Sequence, residues 1–214
     1  MNLTVFSAGT NIRILPGTEI TGGHRLAIGD GVFVGRDTQI MIAADRAAPG
    51  PMIVLGRGTS INRRNLIAAV NEIVFGEFVL TAPNCYFADA SHEFRQVGLP
   101  ITMQGLMPSD GRLEIASHAW IGMNAALVGN VRVGVGTVVG SNAVVNRSIP
   151  DYCVAVGQPA RVVRAYDCAV REWVRVEDDE HLAQIVARRE PIPFATVVPP
   201  PAVPIYAGPT VTVS

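Results

Sequence analysis

The residues best suited to chemistry fall in one stretch. It reads Phe87-Ala-Asp-Ala-Ser-His-Glu-Phe-Arg-Gln-Val-Gly-Leu-Pro-Ile, runs on to Gln104-Gly105, and closes at His118-Ala-Trp120-Ile-Gly. His92 carries an imidazole, the side chain whose ordinary pKa lies closest to neutrality, so it can take a proton from a hydroxyl or an amine. Asp89 and Glu93 flank it. Either carboxylate can orient an imidazole and stabilise its protonated form, as the third member of a catalytic triad does. The plain alternative is a loop histidine and two carboxylates that face water. A second set is basic: Asn146-Arg147, then Gly157-Gln-Pro-Ala-Arg161-Val-Val-Arg164. Guanidinium groups suit phosphate oxygens through planar, two-pronged donation. Taken singly, each arginine is equally a solvated surface charge.

Composition narrows the chemistry. All 17 basic residues of the 214-residue chain are arginine, which excludes Schiff-base and P-loop mechanisms, since both need a lysine. The formal charge of −1 provides no electrostatic reason to expect nucleic acid or an anionic membrane as partner. Cys85, Cys153 and Cys168 are odd in number and widely spaced, which points to a reducing, cytoplasmic setting rather than a disulfide framework or a zinc site. Cys85 has no base beside it and reads as buried core. No apolar run reaches the roughly 18 residues of a membrane span. Met1 to Arg13 lack the basic and apolar succession of a signal peptide.

The positioning elements are announced by a repeat. Ile115, Ile121, Leu127, Val133, Val139 and Val145 recur every six residues, with Gly122, Gly134 and Gly140 behind three of them. Earlier pieces keep the same beat: Ile28, Val34 and Ile40; Leu55, Ile61 and Ile67; Phe75, Thr81 and Phe87; and a looser start at Ile14 and Ile20. A period of six belongs to neither a plain strand nor a helix. It predicts a short strand and a tight turn, with one residue always inward. Three such units make an 18-residue triangular coil, and stacked coils bury a column of Ile, Leu and Val. The glycines supply corner geometry that a Cβ would block. An ordinary β-sandwich would need five consecutive intervals of six by accident. Three breaks interrupt the beat: an insertion at 41–52, a slip at 68–72, and the long excursion at 88–112 that holds His92. Loops on a regular solenoid are where function concentrates.

The repeat and the excursion together resemble the left-handed β-helix, or hexapeptide-repeat, acyltransferases, within them the sugar and xenobiotic O-acetyltransferases. The resemblance covers roughly 12–164. It rests on Asp89-x-x-His92, Pro100-Ile, Gln104-Gly105, Trp120-Ile-Gly and the closing Gly-x-Pro-Ala-Arg161-Val-x-Arg164. It implies acetyl-CoA as cosubstrate, no metal, and His92 as general base for direct attack of an acceptor hydroxyl on the thioester, with Asp89 in support. By position it also implies cofactor contacts at Trp120, Met123, Ser141, Asn146, Arg147, Arg161 and Arg164. Asn146-Arg147 stands where the family more often has Thr-Lys, which keeps the positive charge. Carbonic anhydrases on the same fold type need three histidines around zinc, and only His92 and His118 lie in plausible coil positions. The family is trimeric, with its sites between subunits. The expected acceptor is a sugar or polysaccharide precursor. An amino-sugar nucleotide, an antibiotic, and a non-catalytic β-helix scaffold are the other readings.

Beyond Arg164 the beat stops. Val170, Trp173 and Val174, then Leu182, Ile185 and Val186, fall at i, i+3 and i+4. That spacing predicts short amphipathic helices over 165–190, appended to a 1–164 β-helix domain. From Pro191 the chain turns proline-rich, and 191–214 reads as an extended tail.

Overall fold

The computed structural model describes residues 4–43, 49–107 and 111–193. Each six-residue step forms a strand of two to four residues and a corner, and the chain visits three sheets in strict rotation. Face 1 holds Ser7–Ala8, Leu26–Ile28, Ile53–Leu55, Ile73–Phe75, Leu113–Ile115 and Arg132–Val133. Face 2 holds Arg13–Ile14, Phe33–Val34, Ser60–Ile61, Leu80–Thr81, Trp120–Ile121 and Val138–Val139. Face 3 holds Glu19–Thr21, Gln39–Ile42, Leu66–Ala69, Tyr86–Ala88, Ala126–Val128 and Val144–Val145. Successive coils pair in parallel, as in Phe87↔Leu127 and Ile121↔Val139. The result is a triangular parallel β-helix.

The inward column is the one that the six-residue beat picks out. Ile115, Ile121, Leu127, Val133, Val139 and Val145 are fully buried, as are Leu55, Ile61, Ile67, Phe75, Thr81 and Phe87. Phe75 and Phe87 meet edge to face at 5.0 Å beneath the excursion. Gly122 and Gly134 follow inward residues with no positive φ. Their role is close approach: a Cβ on Gly122 would stand 2.6 Å from the Ser141 nitrogen, and one on Gly134 2.3 Å from that of Asp151. The left-handed corner conformation falls instead to Asp37, Arg64, Asn84, Asn124 and Asn142, three residues after an inward side chain. Polar groups inside the column are satisfied locally. The fully buried Thr59 and Thr137 hydroxyls donate to the carbonyls of Gly76 and Pro150 and accept from the amides of Val79 and Cys153.

The segment after Arg164 departs from expectation. In place of helices over 165–190, the strand Arg161–Asp167 runs across the expected boundary and turns antiparallel to Cys153–Val156 and Glu172–Arg175. Trp173 and Val174 then lie on opposite faces of a strand, because a cross-strand partner was available to pair with them. Within 165–190 only Asp179–Ala187 is helical, capped by Asp178, whose carboxylate accepts from the His181 amide at 2.8 Å. Its Ile185 plugs the open end of the column beside Ala165. None of the described helices is long and apolar enough to cross a membrane. The expected tail falls outside the described residues from 194 onward.

Phe87→Ala empties a fully buried aromatic position, packed on Phe75, directly before the root of the excursion. We expect a loss of about 3–5 kcal/mol in denaturant unfolding, and a loss under about 1 kcal/mol would mean that the root is held by other contacts.

Candidate active site

The excursion leaves face 3 directly after Ala88, at the corner between faces 3 and 1. Asp89 comes first and is buried. Its two oxygens accept the backbone N–H groups of Val70 and Asn71, each at 2.8 Å. Those amides belong to the register slip of the coil below, so the carboxylate satisfies two donors that the slip takes out of the ladder. The chain then runs out and back as a narrow ribbon. The Met107 amide donates to the Ser91 carbonyl at 2.9 Å and the Glu93 amide to the Gly105 carbonyl at 3.0 Å, with His92 opposite Leu106. Gln104 staples the far end. Its Oε1 accepts from the Gln96 amide and its Nε2 donates to the carbonyls of Gln96 and Leu99, at 3.1, 3.1 and 2.7 Å. The Gln-Gly motif thus shapes the loop.

His92 is exposed on this pinned ribbon. Among the described residues, neither neighbouring carboxylate bonds its imidazole, which corrects the direct orienting role expected for Asp89 or Glu93. Asp89 is engaged by backbone, and it sets the position of His92 through the chain. Glu93 is taken by Arg95: its carboxylate receives the guanidinium and the amides of Phe94 and Arg95. The Arg95 guanidinium and amide hold the Glu93 carboxyl down at about 2.

The expected cofactor residues divide between two places. Trp120, half exposed, stands on the outer side of face 2, in a row of cross-strand partners: Leu80, Trp120, Val138, Val154 and Arg164. Met123 and Ser141 are exposed at the corner between faces 2 and 3, on successive coils, and Arg161 starts the strand beside them. Asn146 and Arg147 are exposed at the other corner, between faces 3 and 1, two coils beyond the root of the excursion. In a triangle that corner lies opposite face 2. One chain therefore groups Asp89, His92, Asn146 and Arg147 at one place, and Trp120, Met123, Ser141, Arg161 and Arg164 at another.

The corner between faces 2 and 3 also holds a feature that motif reading missed. Asn84 Nδ2 donates to Asn124 Oδ1 and Asn124 Nδ2 to Asn142 Oδ1, both at 3.1 Å. Arg64 Nε enters the ladder at Asn84 (3.0 Å), and Gln158 Nε2 closes it on the Asn142 carbonyl (2.6 Å). The ladder fixes the edge that carries Met123 and Ser141. Its sequence signal was present: an Asn three places after the inward residue on three coils.

Other candidates fall away on geometry. His118 occupies the corner between faces 1 and 2, in the left-handed region, stacked on Phe78 at 5.6 Å, and burial lowers its pKa. It is not at the His92 corner. Cys85 is buried, with its thiol near the carbonyls of Ala82 and Gly122, and burial pushes it up to about 11. It remains a protonated, inert thiol at neutral pH.

The comparisons with known proteins agree with this architecture. No protein-family model matches the sequence. Over 140 residues the chain is 37 % identical to a Mycobacterium tuberculosis protein named as a probable acetyltransferase, a match covering 65 % of this chain and 44 % of the relative. Over 127 residues it is 27 % identical to an Escherichia coli protein named for O-acetyl transfer in lipopolysaccharide biosynthesis, covering 57 % of this chain and 65 % of that one. The chain spans about half the length of the curated relatives it matches. Among solved structures, a hexapeptide-repeat acetyltransferase of Vibrio cholerae complexed with acetyl coenzyme A aligns over 70 % of each chain, at TM-score 0.55 and 24 % identity. A variant N-acyltransferase of Bacillus cereus in complex with dTDP and coenzyme A aligns over 78 % of this chain and 86 % of that one, at TM-score 0.57 and 20 % identity. Identities this low establish the fold, a left-handed parallel β-helix.

The Glu93 clamp makes a pH prediction. A carboxyl depressed to about 2 in the folded chain, from an ordinary 4.5, adds stability that is complete above 4.5 and is lost as the pH falls towards 2. Exchange protection of the Phe94 and Arg95 amides should hold from neutrality to about pH 4.5 and fail progressively below it. Protection that already fails near pH 6 would show that another group closes the ribbon.

Proposed function

We propose that this chain, whose six-residue repeat and left-handed β-helix are those of the hexapeptide-repeat acyltransferases, moves an acetyl group from acetyl-CoA to a hydroxyl of a sugar or polysaccharide precursor. The observation that carries the reading is the pinned ribbon: an exposed imidazole on a backbone fixed at both ends, at a corner it shares with Asn146 and Arg147. A scaffold that only oligomerises has no need of a braced, solvent-facing base. The E. coli relative named for O-acetyl transfer favours a hydroxyl over an amine as acceptor.

In this mechanism His92 removes the acceptor proton as the oxygen attacks the thioester carbonyl. Charge develops on the carbonyl oxygen, and a backbone N–H of the adjoining coil donates to it. When the tetrahedral intermediate collapses, the carbon–sulfur bond breaks and the imidazolium returns its proton to the departing thiolate, so that CoA leaves as the thiol. Asp89 is a positioning residue here. Trp120 and Met123 border the thioester end, Ser141 and Asn146 supply polar contacts, and Arg147, Arg161 and Arg164 take the phosphates. A single chain separates His92 from Trp120. The complete site then needs the His92 corner of one copy against face 2 of the next, as a homotrimer provides.

Two measurements test this. His92→Ala should lower kcat/KM for acetyl transfer, read as free thiol release, by about 10²–10⁴-fold with the fold intact; a loss under threefold removes His92 as base. An acceptor series of sugars and amino sugars in the same assay separates O- from N-transfer. In calorimetric titration, CoA and acetyl-CoA should bind the wild type in the micromolar range. Arg161→Ala/Arg164→Ala should weaken that binding at least tenfold. No binding at millimolar CoA would remove the enzyme reading.

A further inference from the structure

The outer row of face 2 does not stop at Arg164. The antiparallel turn sets Arg175 directly opposite Arg164, so the row continues from Trp120 through Val138, Val154 and Arg164 to Arg175. Both arginines are exposed, and among the described residues neither has an ion pair. Like charges directly opposite on paired strands repel. The hairpin carries Arg161, Arg164, Arg171 and Arg175 against Asp167 and Glu172. Asp167 is buried and given over to Arg188 at 3.1 Å and to the Ala169 amide. No carboxylate settles the Arg164–Arg175 pair from within its own sheet. The next cross-strand pair on the same outer side is Tyr166 and Trp173, whose rings meet edge to face at 6.0 Å, with Trp173 still 41 % exposed.

We infer that this hairpin is the seat for the nucleotide end of the cofactor, with Arg164 and Arg175 clasping its phosphate between them and Trp173, braced by Tyr166, stacking the purine. The inference rests on the acetyl-CoA reading above and adds Arg175, Tyr166 and Trp173 to it. Four strand spacings separate Trp120 from Arg175, about 19 Å in all, with only valine side chains between the aromatic end and Arg164. Such a track suits a ligand with a long neutral arm and an anionic, aromatic terminus. The clasped anion removes the repulsion between the two guanidinium groups, and each donates to it in the two-pronged geometry that arginine favours. Aromatic stacking of a base is tolerant of detail and adds independently of the charge.

The test uses the full chain with CoA, adenosine 3′,5′-bisphosphate and pyrophosphate as probes. Arg175→Ala should weaken CoA and adenosine 3′,5′-bisphosphate by about 10–100-fold, the loss of one charge-assisted contact. It should also raise the melting temperature of the ligand-free protein, because it relieves the repulsion, while shrinking the rise that CoA confers. Arg175→Lys should recover part of the affinity. Trp173→Ala should weaken both nucleotides but leave pyrophosphate unchanged. Turnover with S-acetylpantetheine, which lacks the nucleotide, should be the same in wild type and Arg175→Ala. CoA binding within twofold of wild type in both alanine variants overturns this inference alone. A wild type that binds no CoA overturns it together with the proposed function.

Discussion

Neighbouring coils stand one strand spacing apart, about 4.8 Å, and every other feature of this chain accommodates that distance. The inward column follows from it: each face of a coil has room for one large apolar side chain, stacked on its counterpart above and below. So do the glycines at 122 and 134, where the next coil leaves no space for a Cβ. At the corners, backbone groups that no strand pairs must find partners in the adjacent coil. Thr59 and Thr137 supply them inside, while along one edge the Asn84, Asn124 and Asn142 side chains bond one another from coil to coil.

A solenoid under so strict a spacing accepts an interruption only if the coils on either side still close. Asp89 makes this possible for the longest one. By receiving the Val70 and Asn71 amides it ties the slipped coil below to the first residue of the excursion, and the repeat resumes at Leu113 in register with Ile73. The excursion then carries its own support, a short backbone ribbon and the Gln104 staple, so that His92 is held in solvent without a core beneath it. An exposed imidazole is held here by backbone pairing rather than by burial.

The same geometry divides the chemistry. A corner and the face opposite it cannot meet in one triangular coil, so the proposed reaction, which calls on both the His92 corner and the Trp120 row, requires neighbouring copies. Among the described residues, face 2 is also the one sheet that extends past the last coil, through Arg161–Asp167 and Glu172–Arg175. That extension turns an apolar row into one that ends in paired arginines.

The fold was legible in the sequence because a six-residue beat admits few solutions: the positions from Ile115 to Val145 name the buried column residue by residue. The region of the candidate site also stood out, since Asp89, His92 and Gln104 fall in the long break of a regular pattern. Three things were not. The i, i+3, i+4 spacing of Val170, Trp173 and Val174 fits a helix, and only the open edge of face 2 made it a strand. Asp89 and Glu93 look alike beside His92 in the sequence, yet the amides of Val70 and Asn71 claim one and Arg95 the other. Arg164 and Arg175 are eleven residues apart in the chain, and nothing in their types makes them partners until the turn brings them face to face. The sequence by itself determined the period, the column and the residue types offered for chemistry, because those depend on local spacing and burial. The tertiary structure decided which carboxylate meets which amide, which arginines face each other, and that His92 and Trp120 stand apart, because those depend on corners closing across coils far apart in the chain.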